Sequence, residues 1–96
     1  MSRYRIARVA RTDLKEICHY IAQDKPSAAR RLRKIFTKTF QLLAAQPLIG
    51  ESCEEYGKNL RRLTEGNYVI FYRPAPGGIE VVRVIHGARD IDELFW

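Results

Sequence analysis

The stretch Leu60–Phe95, LRRLTEGNYVIFYRPAPGGIEVVRVIHGARDIDELF, decides the fold. Tyr68–Arg73 and Ile79–His86 are apolar runs rich in Val, Ile and Tyr, residues that suit a pleated, half-buried surface. Between them Pro74-Ala75-Pro76-Gly77-Gly78 is a turn signal, so the pair reads as a β-hairpin. Leu60–Glu65 precedes it as a further strand, turned back by Gly66-Asn67. Tyr68–Arg73 is almost continuously apolar, which predicts a central strand covered on both faces. Strict alternation along the last strand puts Ile79, Val81, Arg83 and Ile85 on one face and Val82, Val84 and His86 on the other. That strand runs directly into His86-Gly87-Ala88-Arg89-Asp90, a polar junction that a buried core would not require. This junction is the candidate functional region. Asp90 with Glu93 reads as a capping box opening a last short helix, packed back through Ile91, Leu94 and Phe95.

Upstream, Ser2–Ala7 predicts a short strand with Tyr4 and Ile6 on one face and Arg3 and Arg5 on the other. An amphipathic helix is predicted over Arg8–Gln23, its buried stripe formed by Ala10, Leu14, Ile17, Cys18 and Ile21. Asp13 and Glu16 fall early in it, where the helix dipole favours negative charge. Asp24-Lys25-Pro26-Ser27 breaks the chain, and proline is well placed to open a new helix over Pro26–Ala45. Its apolar face is Ala28, Leu32, Ile35, Phe36, Thr39, Phe40 and Leu43; Arg30, Arg31, Arg33, Lys34 and Lys38 mark its wet side. Pro47 and Gly50 end it, and Ile49–Asn59 reads as a polar, irregular loop. The order β-α-α-β-β-β-α is an α+β fold, an antiparallel helical hairpin laid on a small, mainly antiparallel sheet. A chain of 96 residues predicts one domain with one modest core, too small for a deep substrate cleft.

Charge is uneven. The chain carries +6 overall, but residues 1–40 hold 11 basic and 3 acidic side chains, while residues 41–96 hold 6 basic and 8 acidic. The cationic first half suits an acidic protein segment or a nucleic-acid backbone, or is simply a solvated face. With no export signal and no membrane span in the sequence, a reducing cytoplasm is expected, and Cys18 and Cys53 read as structural thiols rather than a disulfide. His19 and His86 are far apart, and no spacing fits zinc, a phosphate loop or a nucleophile elbow, so neither metal nor cofactor is expected. Arg83 is either paired with a carboxylate or lines a concave binding surface. His86 is either a satisfied structural histidine or a general base. Arg89-Asp90 is either a local turn and helix cap or part of a site. Tyr68 and Tyr72 share a face and read as core.

Taken together, Tyr4-Arg5-Ile6 through Ala10-Arg11-Thr12-Asp13-Leu14, Tyr20-Ile21, Pro26 with Ala28-Ala29, Pro47 with Gly50, Leu60–Leu63, Tyr68–Arg73 and Arg83–Asp90 resemble the ParE branch of the RelE/ParE toxin superfamily. The resemblance covers nearly the whole chain, with Arg83–Asp90 its most specific part. It implies the toxin of a bacterial type II toxin-antitoxin system, neutralised by a ParD-like antitoxin. It further implies a non-enzymatic inhibitor of DNA gyrase that blocks replication, with direct sequence-specific DNA contact only through the antitoxin. RelE-like relatives instead cut messenger RNA on the ribosome. Against their pattern this chain has Val69 where an arginine is usual, Leu60 where a lysine is usual, and Phe95 where a tyrosine is usual; Arg62 and Arg89 keep basic character. Val69, Leu60 and Phe95 can supply neither base, acid nor phosphate clamp. An RNA endonuclease using His86, or an inactive relic that only binds antitoxin, are the alternatives. The residues expected to carry toxicity are Arg83, His86, Arg89, Asp90 and Phe95. Arg30, Arg33 and Lys34 are expected to meet the antitoxin.

Overall fold

The computed structural model describes residues 2–87. Its elements are β1 (Arg3–Ile6), α1 (Arg8–Asp24), α2 (Pro26–Ala45), β2 (Glu51–Ser52), a single 3-10 turn (Glu54–Tyr56), β3 (Arg61–Glu65), β4 (Tyr68–Ala75) and β5 (Gly78–His86). The strands form one sheet in the order β1-β5-β4-β3-β2. β1 runs parallel to β5, and the other neighbours are antiparallel. The helices pack on this mainly antiparallel sheet, so the α+β architecture agrees with the sequence pattern. The final helix expected from Asp90 lies outside the described residues.

β4 is the covered central strand. Ile70 and Tyr72 join the main core with Phe36, Phe40, Leu43, Ile79, Val81 and Val84 on the helix side. Val69 and Phe71 join a second cluster on the opposite face, with Cys53, Leu60 and Ile85. A run of ring contacts stitches the helix side together. Tyr4 meets Phe40 at 5.5 Å, Phe40 meets Phe36 at 6.2 Å, Phe36 meets Tyr68 at 5.6 Å, and Tyr68 meets His86 at 5.4 Å. Such aromatic pairs contribute roughly 0.5–1.5 kcal/mol each beyond area burial.

Three details depart from the sequence reading. Strict alternation fails on β5, because Phe71 pairs with Arg83 while Tyr72 pairs with Val81. Val82 is the extra residue of a β-bulge, and the strand's faces exchange there. Val84 therefore joins Ile79 and Val81 in the main core, whereas Ile85 and the half-buried Val82 belong to the opposite cluster. Second, the predicted loop Ile49–Asn59 contains β2, whose Glu51 and Ser52 pair with Arg62 and Arg61. Buried Cys53 anchors that segment, its N–H donating to the Leu60 carbonyl at 2.9 Å. Third, Ile35 was expected on the apolar face of α2 but is 42% exposed, while Ala29 and Ala44 are buried.

The hairpin turn is also tighter than the five-residue signal suggests, since β4 reaches Ala75 and β5 begins at Gly78. With Ala75 and Gly78 as the closing pair, the Pro74 nitrogen faces away from β5. On that side β3 has already ended at Arg61, opposite Tyr72, so the missing N–H costs no ladder bond. Gly77 supplies the positive φ of 80°, and Gly78 lets β5 lie against the Arg3 backbone, where a Cβ would collide.

The link from α2 to the sheet is fixed by Tyr72, which is fully buried. Its hydroxyl accepts from the Gly50 N–H at 2.8 Å and donates to the Pro47 carbonyl at 2.8 Å. Tyr72→Phe should therefore lower stability by about 1–3 kcal/mol, because a buried N–H and a carbonyl lose their partner. Urea unfolding monitored by circular dichroism measures this directly.

Candidate functional site

Arg83 and its surroundings come first, because the sequence left two roles open. β1 stops at Ile6, and its last bond to β5 is from the Ala7 N–H to the Val81 carbonyl at 2.9 Å. Beyond this point, among the described residues, β5 continues with no strand beside that edge. Asp13 of α1 fills the gap. Its carboxylate accepts from the Val84 N–H at 3.0 Å and from Arg83 Nε and Nη2 at 2.8 and 3.0 Å. The side chains are 8% and 18% exposed, so this is a buried, bidentate pair. The hydrogen bond to Asp13 raises the Arg83 pKa, with burial pulling the other way. Asp13 was read as a favourable charge early in α1, but it lies beyond the first turn and works as a tertiary bond. Its signal in the sequence was faint: one acid on an otherwise apolar stripe.

His86 ends β5, is exposed, and stands edge-on to Tyr68, its partner in the register. Burial raises the Tyr68 pKa, with smaller contributions from Cys18 and Tyr20. Arg89, Asp90 and Phe95 lie outside the described residues.

Arg30, Arg33 and Lys34 are brought together on α2. With Thr37, Lys38 and Gln41 they line a shallow groove of about 520 Å³. α2 contains no Asp or Glu at all. Every lining side chain can donate a hydrogen bond, which suits an anionic ligand.

Arg33 also borders a larger cleft of about 910 Å³ between α1, α2 and β1. Its floor is apolar, from Tyr4, Ile6, Leu14, Phe36 and Phe40; Arg11, Lys15 and Arg33 stand around it with Glu16 as the one acid. α1 leaves this cleft open because, of its expected stripe, only Ala10 is fully buried. Cys18, in the cleft, and Cys53 are free thiols. Burial raises both pKa values, against the pull of Arg33 on Cys18 and Arg62 on Cys53, so neither favours the reactive thiolate. Among the described residues no three His, Cys, Asp or Glu side chains gather as a metal site. None of their helices is long and apolar enough to cross a membrane.

A helical hairpin on a five-stranded sheet, with an apolar cleft beside a basic helix face, defines a small α+β protein with surface suited to an acidic, amphipathic partner. The family model for the ParE toxin of the type II toxin-antitoxin system parDE matches residues 4–91, and the chain belongs to that family. It is 36% identical over 94 residues to Toxin ParE1 of Mycobacterium tuberculosis, covering 95% of each chain. It is 33% identical over 88 residues to Toxin ParE1 of Caulobacter vibrioides, covering 90% of each. Its fold is similar to a chain in the structure of the chromosomal ParDE TA system from P. aeruginosa, with a TM-score of 0.71 at 20% identity, over 90% of this chain and 96% of that one.

The Asp13–Arg83 pair should behave as scaffold. Asp13→Ala or Arg83→Ala alone should cost about 3–5 kcal/mol, because each leaves an uncompensated buried charge. Replacing both together with apolar residues of similar size should cost clearly less than the sum. A double-mutant cycle by urea unfolding measures the difference.

Proposed function

We infer that this ParE-type toxin acts by binding DNA gyrase, without chemistry of its own, and that a ParD-like antitoxin neutralises it. The family match supports the toxin role. The observation that carries binding over catalysis is the surroundings of positions 60 and 69. Leu60 and Val69 are buried together with Cys53, Phe71 and Ile85 in one apolar cluster. An RNA endonuclease would need cationic or proton-transferring groups in contact with its substrate there. Arg62, which keeps the basic character, is paired with Glu51 at 3.2 Å.

Within this reading Arg83 holds the β5 end in place through Asp13, and His86 offers an exposed contact at the end of the strand. Arg89, Asp90 and Phe95 complete the proposed toxic region. The antitoxin approaches at the cationic groove of Arg30, Arg33 and Lys34 and the neighbouring apolar cleft. An unfolded acidic, amphipathic tail gains charge contacts from the first and buries its apolar residues in the second. The toxin's working site is then cytoplasmic, where gyrase and antitoxin are found.

Purified protein should inhibit gyrase supercoiling and accumulate cleaved DNA, and cells producing it alone should filament. Normal supercoiling at toxin excess, with folding verified by circular dichroism, would remove the gyrase assignment. New codon-linked breaks in messages from induced cells, absent in His86→Ala, would establish the nuclease instead.

Charge reversal tests the partner face. Changing Arg30, Arg33 and Lys34 to Glu should slow antitoxin association strongly at low salt, with the gap from the parent narrowing as salt rises. Stopped-flow mixing across a salt series reads this, and gyrase inhibition by the same variant should be nearly unchanged.

A further inference from the structure

The sheet face turned away from the helices divides into two halves. Toward His86 its apolar cluster is packed against the segment that carries Cys53 and Tyr56. Toward the β4–β5 turn it carries arginines instead. Tyr4 and Ile6 pack on the helix side, so Arg3 and Arg5 of β1 point the other way. Arg5 stands opposite Glu80 of β5, and Glu80 stands opposite Arg73 of β4, which makes one row across three strands. Arg3 lies beside this row, two residues before Arg5 on the same face. From the spacing of strands and the rise along them, the three arginines are rooted within roughly 10 by 7 Å. All three are exposed. Arg5 meets Glu80 at 3.5 Å while its side chain stays 72% exposed; among the described residues Arg3 and Arg73 have no ion-pair partner. The row lies about 20 Å along β5 from His86.

We propose that Arg3, Arg5 and Arg73 rest on the phosphate backbone of the DNA that gyrase holds, as a second contact beside the one to gyrase itself. This builds on the gyrase reading above. Two observations select DNA over an acidic protein segment. The large apolar side chains that are exposed, Val9, Tyr20, Ile35, Leu42, Leu48 and Ile49, all lie on α1, α2 or the turn after α2, and none lies on this face. A protein interface gains its affinity from buried aromatic and aliphatic anchors with charge around them, and here there is charge without an anchor. Binding to a nucleic-acid backbone needs no anchor, because phosphate contact and counterion release supply it. Second, every cation of the row is an arginine, whose planar fork takes two phosphate oxygens at once. A duplex carries one charge per about 1.7 Å of its axis, so several phosphates face the row together. Three strands are broader than the two-stranded ribbon that a major groove admits, so the contact stays on the backbone and reads no bases. Glu80 offsets part of the charge, which makes the face an addition to the gyrase contact and not a replacement for it.

Biolayer interferometry with the full chain tests this, measuring Kd for gyrase alone and for gyrase holding a linear duplex over a salt series. The parent should bind the DNA-loaded enzyme more tightly. In the variant Arg3→Gln, Arg5→Gln, Arg73→Gln that advantage should disappear. Its affinity for gyrase with DNA should fall by roughly tenfold at low salt, and the slope of log K against log salt should become shallower by roughly 2–3. Its affinity for DNA-free gyrase should be unchanged. Glu80→Gln makes the opposite change with one substitution: it removes the acid of the row, so binding to the DNA-loaded enzyme should tighten and the salt slope should steepen. That variant keeps the test open should the triple variant fold poorly by circular dichroism. Equal affinity and equal slope for parent and variants would overturn the DNA contact while leaving gyrase inhibition intact. A triple variant that loses antitoxin affinity and keeps its hold on DNA-loaded gyrase would overturn it in favour of an acidic protein partner. A parent that binds gyrase neither with DNA nor without it would overturn both readings.

Discussion

The carboxylate of Asp13 carries the arrangement of α1 against the sheet. A parallel strand as short as β1 pairs only with Gly78–Val81, and among the described residues the rest of β5 has no strand on that side. The chain solves this by turning directly from β1 into α1 and letting one acid from the second turn of the helix act in place of the missing strand. Asp13 satisfies the Val84 N–H and holds Arg83 in the same grip. Two charges withdrawn from water in this way add little net stability over an apolar pair, but they fix register, because any slip of β5 leaves them unmatched. The bulge at Val82 lies immediately before this contact. Bulge and carboxylate together set which side chains of the last strand face the helices and how His86 is presented.

The cleft and the groove beside it follow from how little of α1 is buried. Because α1 is anchored at Ala10 and Asp13 and less deeply thereafter, an apolar cleft remains between it and α2. A chain of this size buries a modest core, and apolar surface left open in a groove is normally a place for a partner. Beside it runs a helix face with five cations and no acid. In the proposed function, charge there raises the encounter rate with an acidic antitoxin segment, and the cleft supplies the burial that holds it.

The opposite sheet face makes the contrast between binding and chemistry concrete. Leu60 and Val69 are held in an apolar cluster with Cys53, which follows β2, and Tyr56, so both are packing residues. In the proposed function, that interior construction is what favours binding over chemistry.

The sequence alone determined the first strand, the two helices, the central strand and the existence of the hairpin, because these depend on local periodicity and on Pro and Gly, whose backbone preferences act within a few residues. It also showed that Arg30, Arg33 and Lys34 share a helix face, since their spacing fixes that. It did not show the bulge at Val82. A bulge is a compromise between paired strands, and a strictly alternating pattern hides it. Nor did it show β2, whose two residues are strand only because Arg61 and Arg62 lie beside them. For Arg83 it offered either a carboxylate partner or a binding surface, and only the tertiary structure chose. Asp13 and Arg83 are 70 positions apart, and nothing local to either records that an unfinished sheet edge would bring them together.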